Sequence, residues 1–286
     1  MKLILSFRLS VFVAGWLGLA GSPMLAMNLT PNDALMAYYY DLCDSDGDVE
    51  RFEKTGRSQQ AGLPLFQRII APMDSLPQTT KQGKKRNVAI FIHDGVEILD
   101  FAGPSEVFAS TKGFNVYTVS LTKEPIISQG FVKITPTYSL TDCPKPDILV
   151  IPGGKTGPFL TNEPLIDWIK NTAPQTEITL SVCTGAGLLA KAGLLDGKQA
   201  TTFHSYIETL QRATPKAEIL ANTRFVDNGQ IITTAGVSAG IDGALHVVSK
   251  LMGQAVATQT ARYMEYDKWK PGEGLIVKPK VAAENK

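Results

Sequence analysis

From Asn87 onward the chain alternates between short apolar runs and helical patterns, and this alternation limits the fold more than any other feature. Each apolar run is bounded by turn residues, as expected of a strand buried on both faces of a sheet. The predicted strands are NVAIFI (87–92), FNVYTVSL (114–121), DILVIPGG (147–154), ITLSV (178–182) and QATTF (199–203). The predicted helices are PSEVFAST (104–111), EPLIDWIKNT (163–172), AGLLAKAGLL (186–195), SYIETLQRA (205–213) and a long amphipathic helix from Ile241 to about Tyr266. Strands that alternate with helices in this way predict a doubly wound α/β domain with a mostly parallel sheet.

One further segment carries a different signal. RFVDNGQIITTAG (224–236) places Asn-Gly between two apolar runs, which predicts a β-hairpin. The chain has 286 residues, of which 44% are hydrophobic and 19% charged, enough to bury a sizeable core. Its formal net charge of +1 excludes a binder that works by overall charge alone, so no nucleic-acid partner is expected.

The first 26 residues have the layout of a secretory signal peptide. Lys2 and Arg8 precede an apolar stretch, and small residues and a proline crowd its end. We therefore expect residues 1–26 to be removed, leaving a periplasmic or secreted protein with no stable membrane association; a mis-set start codon would make it cytoplasmic. Residues 27–85 read as an extension and linker ending in KQGKKR, and residues 271–286 as a polar tail, which leaves a domain over 86–270.

Three cysteines are present, at positions 43, 143 and 183. An odd number in an exported protein leaves at least one thiol unpaired or paired between chains. Cys43 and Cys143 are one candidate disulfide pair, and the absence of any disulfide is the alternative. Three histidines and three cysteines scattered along the sequence do not form a metal-ligand pattern, so neither a metal nor a cofactor is predicted.

Cys183 stands at the corner between a predicted strand and a predicted helix, in SVCTGAG (181–187). The carboxyl ends of parallel strands are where ligands collect in such sheets. A sharp strand-to-helix turn requires small neighbours, which the following residues provide. A helix N-terminus favours an anion, so this location predicts a lowered thiol pKa and a nucleophile. The alternative is a buried cysteine that acts as a small hydrophobic side chain.

A second segment, HDGVEILDFAGPSEVFAS (93–110), leaves the first strand and carries three acids: Asp94, Glu97 and Asp100. A carboxyl group close to the thiol would accept and return a proton. The alternative for Asp100 is that it only caps a turn. Pro104 suits the first turn of the helix that follows.

Together these segments resemble the ThiJ/PfpI family of the class I glutamine-amidotransferase-like superfamily, and within it the isonitrile hydratase branch. The matching text is VAIFIHDGVEILDFAGPSEVF, DILVIPGG, SVCTGAGLLAKAGLLDGKQATT and VDNGQIITTAGVSAGID. The resemblance implies a flavodoxin-like sandwich with a nucleophile elbow, in a homodimer that acts on a small molecule. It implies catalytic roles for Cys183, Asp100 and Thr184, and an anion pocket formed by Gly153, Gly154 and Thr184.

The sequence also departs from the family pattern. Many relatives read TTH where this chain reads TTF (201–203), with His204 one place later, so His204 is expected at the pocket rim rather than in the catalytic set. Thr184 follows the cysteine where the family's proteases carry histidine, which argues against a protease. The resemblance therefore implies hydration of an isonitrile to an N-substituted formamide. The alternatives are glyoxalase or deglycase activity on reactive carbonyls, and a non-enzymatic small-molecule or redox sensor.

Overall fold

A computed structural model describes residues 85–278. The predicted signal peptide, nearly all of the predicted extension at 27–85, Cys43 and the last eight residues lie outside this range. The strands, in chain order, are β1 Arg86–Phe91, β2 Phe114–Ser120, β3 Ile126–Ser128, β4 Val132–Ile134, β5 Tyr138–Ser139, β6 Ile148–Ile151, β7 Ile178–Val182, β8 Gln199–Ala200, β9 Glu218–Ile219, β10 Phe225–Asp227, β11 Ile231–Thr234 and β12 Leu275–Ile276. The α-helices are α1 Ile98–Ala109, α2 Glu163–Thr172, α3 Ala186–Lys191, α4 Ile207–Ala213, α5 Ala239–Met252 and α6 Gln254–Tyr263.

The main sheet has eight strands in the order β12-β10-β11-β7-β6-β1-β2-β5. All its neighbouring strands are parallel except β10 and β11, which form the antiparallel hairpin predicted from Asn-Gly. The central strands β1, β6 and β7 are almost entirely buried, which explains their continuous apolar sequences. A smaller β3–β4 hairpin and a β8–β9 pair stand apart from this sheet.

Helices cover both faces of the sheet, so the predicted doubly wound α/β sandwich is confirmed. One core contains buried residues of α1, α5 and α6, and the other contains buried residues of α2, α3 and α4. The order reverses at β1, which pairs with β2 on one side and β6 on the other. The loops after β1, β6 and β7 therefore meet at the carboxyl edge of the sheet, where this class of fold builds its sites.

Several element boundaries differ from the sequence prediction. QATTF supplies only the two-residue strand β8, which pairs with β9 outside the main sheet. Helix α1 begins at Ile98, so Pro104 lies inside the helix instead of in its first turn. The long helix expected from Ile241 is two helices, because Gly253 adopts φ +98° between them. The predicted tail contributes β12, an edge strand of the main sheet.

Within the described part of the chain, no helix is both long enough and apolar enough to cross a membrane.

Candidate active site

Cys183 is the first residue after β7, and its backbone is held in the left-handed region with φ +58°. A non-glycine residue rarely adopts this conformation, so the sharp turn predicted from the sequence is present. The Cys183 N–H donates to the Ala235 carbonyl at 3.1 Å, and the Thr202 hydroxyl donates to the Cys183 carbonyl at 2.6 Å. Through these two hydrogen bonds, the loop after β11 and the loop after β8 hold Cys183 in its strained conformation. The side chain is 5% exposed.

Small residues are required around this turn because other backbone segments approach it closely. A Cβ on Gly185 would collide with the Ile151 carbonyl oxygen at the end of β6. A Cβ on Gly153 would lie 2.6 Å from the Thr184 nitrogen and 2.9 Å from the Asp100 carboxylate. The glycines thus allow the loops after β6 and β7 to meet.

Asp100 lies in the first turn of α1 and is completely buried. Its Oδ2 accepts from the Gly153 N–H at 3.0 Å, and its Oδ1 accepts from the Val237 N–H at 3.0 Å. The carboxyl group faces the Cys183 thiol. Asp100 therefore joins the loops after β6 and β11 beside the cysteine, and it does more than cap a turn.

The Thr184 hydroxyl is fully engaged with one residue of the loop after β6. It donates to the Gly154 carbonyl at 3.0 Å and accepts from the Gly154 N–H at 3.1 Å. Gly154 itself adopts φ +106°, which favours glycine. The structure therefore differs from the predicted anion pocket: the N–H groups of Gly153 and Gly154 donate to Asp100 and Thr184. The Thr184 N–H faces the sulfur of Cys183.

The ionisation of the pair also differs from the sequence prediction. Burial and the neighbouring Asp100 carboxylate raise the pKa of Cys183 to about 12. Helix α3 has only six residues, so its dipole opposes these effects weakly. Burial raises the pKa of Asp100 to about 7, and the charge of Glu97 adds to the increase. The thiol is therefore protonated near neutral pH, and Asp100 is the group that titrates there.

None of the three histidines joins Cys183 and Asp100. His204 is exposed at the start of a short 3₁₀ helix, and its ring lies 4.3 Å from the ring of Phe203. His93 follows β1, is buried, and contacts the Asp94 carbonyl through Nδ1 at 2.9 Å. His246 lies on α5 and contacts Asp227 through Nε2 at 2.8 Å. Among residues 85–278, no three His, Cys, Asp or Glu side chains are placed to hold a metal ion.

Two residues at the site had no role in the sequence prediction. Val237 donates its N–H to Asp100 and adopts φ +54°, which is rare for a β-branched residue. Thr202 binds the carbonyl of the cysteine from a loop 19 residues away. The sequence signal available for Val237 was its position in TTAGVSAGID, directly after the predicted hairpin. Thr202 carried no signal beyond its place in a run of small polar residues.

The sequence profile of the DJ-1/PfpI family matches residues 86–250, which include every residue of this site. The chain belongs to the DJ-1/PfpI family. This DJ-1/PfpI domain is 34% identical to an isonitrile hydratase of Pseudomonas putida, over 63% of this chain and 78% of the relative. It is 24% identical to the HTH-type transcriptional regulator CdhR of Pseudomonas aeruginosa, over 62% of this chain and 54% of the regulator.

Among solved structures, a THiJ/PfpI family protein from Pseudomonas syringae superposes with a TM-score of 0.62 at 28% identity, over 75% of this chain and 86% of the other. The resemblance seen in the sequence motifs is thereby confirmed at the level of family and fold. Because relatives include both an enzyme and a regulator, the family alone does not assign a reaction.

Proposed function

We propose that this chain is a cysteine-dependent enzyme that hydrates an isonitrile to an N-substituted formamide. The observation that carries the proposal is the pairing of a strained Cys183 with a buried Asp100 whose pKa is raised to about 7. The 34% identity to an isonitrile hydratase supports the choice of reaction.

In the proposed first step, the Cys183 sulfur attacks the terminal carbon of the isonitrile. The thiol proton passes to the Asp100 carboxylate, and Asp100 returns a proton to the same carbon. The net addition of S–H gives a thioformimidate in which the carbon is bonded to sulfur and hydrogen and double-bonded to nitrogen. A carboxyl group that titrates near neutral pH is suited to both transfers.

In the second step, a water molecule adds to the thioformimidate carbon. Asp100 takes one proton from the water and passes it to the nitrogen, which leaves a hydroxyl group on the carbon. The carbon–oxygen double bond then forms as the carbon–sulfur bond breaks, and the hydroxyl proton passes through Asp100 to the sulfur. Cys183 is thereby protonated again and the formamide leaves. In sum, one isonitrile and one water molecule give one N-substituted formamide. We assign Thr184 a positioning role, because its hydroxyl is occupied in holding Gly154.

The test is formamide production from a neutral alkyl isonitrile by the full chain, followed by mass spectrometry. We expect Cys183→Ser to reduce the rate to that of the uncatalysed reaction. Cys143→Ser is the matched control, since Cys143 is half-buried and contacts the Pro144 carbonyl and the Tyr117 hydroxyl, neither of which belongs to the candidate site. Unchanged turnover in Cys183→Ser, or none in the wild-type protein, would reject the proposal. Consumption of methylglyoxal in a parallel assay would favour the reactive-carbonyl alternative.

A further inference from the structure

The ring of Phe203 lies against the backbone that contacts the Cys183–Asp100 pair. A Cβ on Gly236 would collide with Phe203 Cδ2, so the ring sits directly on that glycine. The residue before Gly236 accepts the Cys183 N–H through its carbonyl, and the residue after it donates to Asp100. The residue before Phe203 donates to the Cys183 carbonyl. The backbone of Phe203 therefore follows a residue that binds Cys183, and its ring packs on a glycine whose two neighbours bind Cys183 and Asp100.

Partly exposed residues lie on both sides of the buried pair. Cys183 and Asp100 are buried, but Phe203 and the segment from Ala235 to Ser238 are partly exposed. Thr184 and Gly154, on the opposite side of the cysteine, are also partly exposed. Among these partly exposed residues, Phe203 has the largest apolar side chain.

Acidic groups act on both members of the pair. Besides burial, the Asp100 carboxylate raises the pKa of Cys183, and the charge of Glu97 raises the pKa of Asp100. Arg224 reaches Ser238, but its guanidinium is paired with the Asp242 carboxylate. These acids disfavour an anionic group next to the pair itself, and an aromatic wall favours an apolar group.

We propose that the ring of Phe203 forms one wall of the entrance to Cys183 and selects neutral substrates that carry an apolar substituent. If the substrate is an isonitrile, the apolar substituent is the group on its nitrogen, and this part of the inference rests on the proposed function. The position of Phe203 at the entrance does not depend on which reaction the site performs.

The test measures alkylation of Cys183 by peptide mapping at about pH 9 with three probes: iodoacetamide, N-benzyl iodoacetamide and iodoacetate. In Phe203→Lys we expect the ratio of the iodoacetate rate to the iodoacetamide rate to rise about fivefold, because a cation at the entrance attracts the anionic probe. In Phe203→Leu we expect the preference for the benzyl probe over iodoacetamide to fall severalfold, since the aromatic contact is lost.

Tyr263→Lys is the matched control. Tyr263 is an exposed aromatic residue on α6. This helix contacts the C-terminal end of α1, through Thr260 and Thr111, whereas Asp100 lies in the first turn of α1. The control adds the same charge, and we expect its rate ratios to equal those of the wild-type protein.

Equal ratios in wild type, Phe203→Lys and Phe203→Leu would overturn the proposal. So would an equal increase in the iodoacetate ratio in Phe203→Lys and Tyr263→Lys, because this would report overall charge. If Phe203→Lys does not fold, the benzyl preference in Phe203→Leu decides. Alkylation needs no turnover, so altered probe ratios in a chain inactive on isonitriles would support the entrance and reject the hydratase reaction separately.

Discussion

At the scale of single residues, Cys183 and Asp100 control each other's ionisation. Asp100 is buried with two backbone N–H donors, and Cys183 is held beside it by a strained backbone. The negative charge of Asp100 is one of the two main reasons that the thiol stays protonated. The thiol becomes a nucleophile when its proton moves to the carboxylate, so the two groups act as a unit.

This coupling predicts the effect of Asp100→Asn on Cys183. In the wild-type protein we expect the pKa of alkylation by iodoacetamide to lie above the free cysteine value of about 8.5, because burial and Asp100 raise it. Asp100→Asn removes the charge, so the pKa should fall toward the free value while isonitrile turnover falls about 100-fold or more. The pH dependence of labelling, read by mass spectrometry, measures the first change. A pKa that stays the same or rises in Asp100→Asn would contradict the coupling.

At the scale of structural elements, the turn between β7 and α3 depends on how closely the loop after β6 approaches it. Gly185 lies against the Ile151 carbonyl, and Thr184 is bonded twice to Gly154. The two loops form one packed unit, and the position of Cys183 follows from it.

We therefore expect Gly185→Ala to lower the free energy of unfolding by about 2–3 kcal/mol, since the added methyl group meets backbone that cannot move aside easily. Gly157→Ala is the matched control: Gly157 is exposed and no atom lies within 4 Å of its Cβ position. Its effect should stay within about 0.5 kcal/mol. Urea unfolding of both variants measures the difference, and equal stabilities would show that the loop after β6 adapts.

At the scale of the whole molecule, the buried carboxyl group of Asp100 links folding to pH. The pKa of Asp100 is raised from 3.8 to about 7 on folding, mainly by burial. Between these values the folded state binds more protons than the unfolded state. The contribution of Asp100 to stability is therefore present below pH 4 and is lost as the pH rises toward 7.

We expect this contribution to disappear in Asp100→Asn, so the difference in unfolding free energy between wild type and variant should change steadily from about pH 4 to about pH 7 and then level off. Asp142→Asn serves as the control, because hydrogen bonds from Lys123 and Ser139 lower the pKa of Asp142 to about 2, outside this range. Urea unfolding at several pH values measures both variants. A constant difference for Asp100→Asn would show that its carboxyl group titrates normally.

The sequence by itself determined the alternating strands and helices, the hairpin at Asn-Gly and the turn at Cys183. Each of these follows from residues close together in the chain, where apolar periodicity and small residues act directly. The resemblance of its motifs to the ThiJ/PfpI family also implied that Asp100 and Cys183 belong together. The break at Gly253 was missed because the helical pattern continues through it, and β12 was missed because its apolar run, LIV (275–277), is very short.

Only the tertiary structure decided which groups of the site are joined by hydrogen bonds. The Val237 N–H donates to Asp100, 137 positions away in the sequence, and the N–H groups of Gly153 and Gly154 donate to the side chains of Asp100 and Thr184. The tertiary structure also decided whether the pKa of the thiol is raised or lowered. A cysteine before a helix predicts a lowered value, but burial beside a carboxylate raises it. Desolvation and charge proximity depend on which residues pack together in space, and spacing along the chain does not record them.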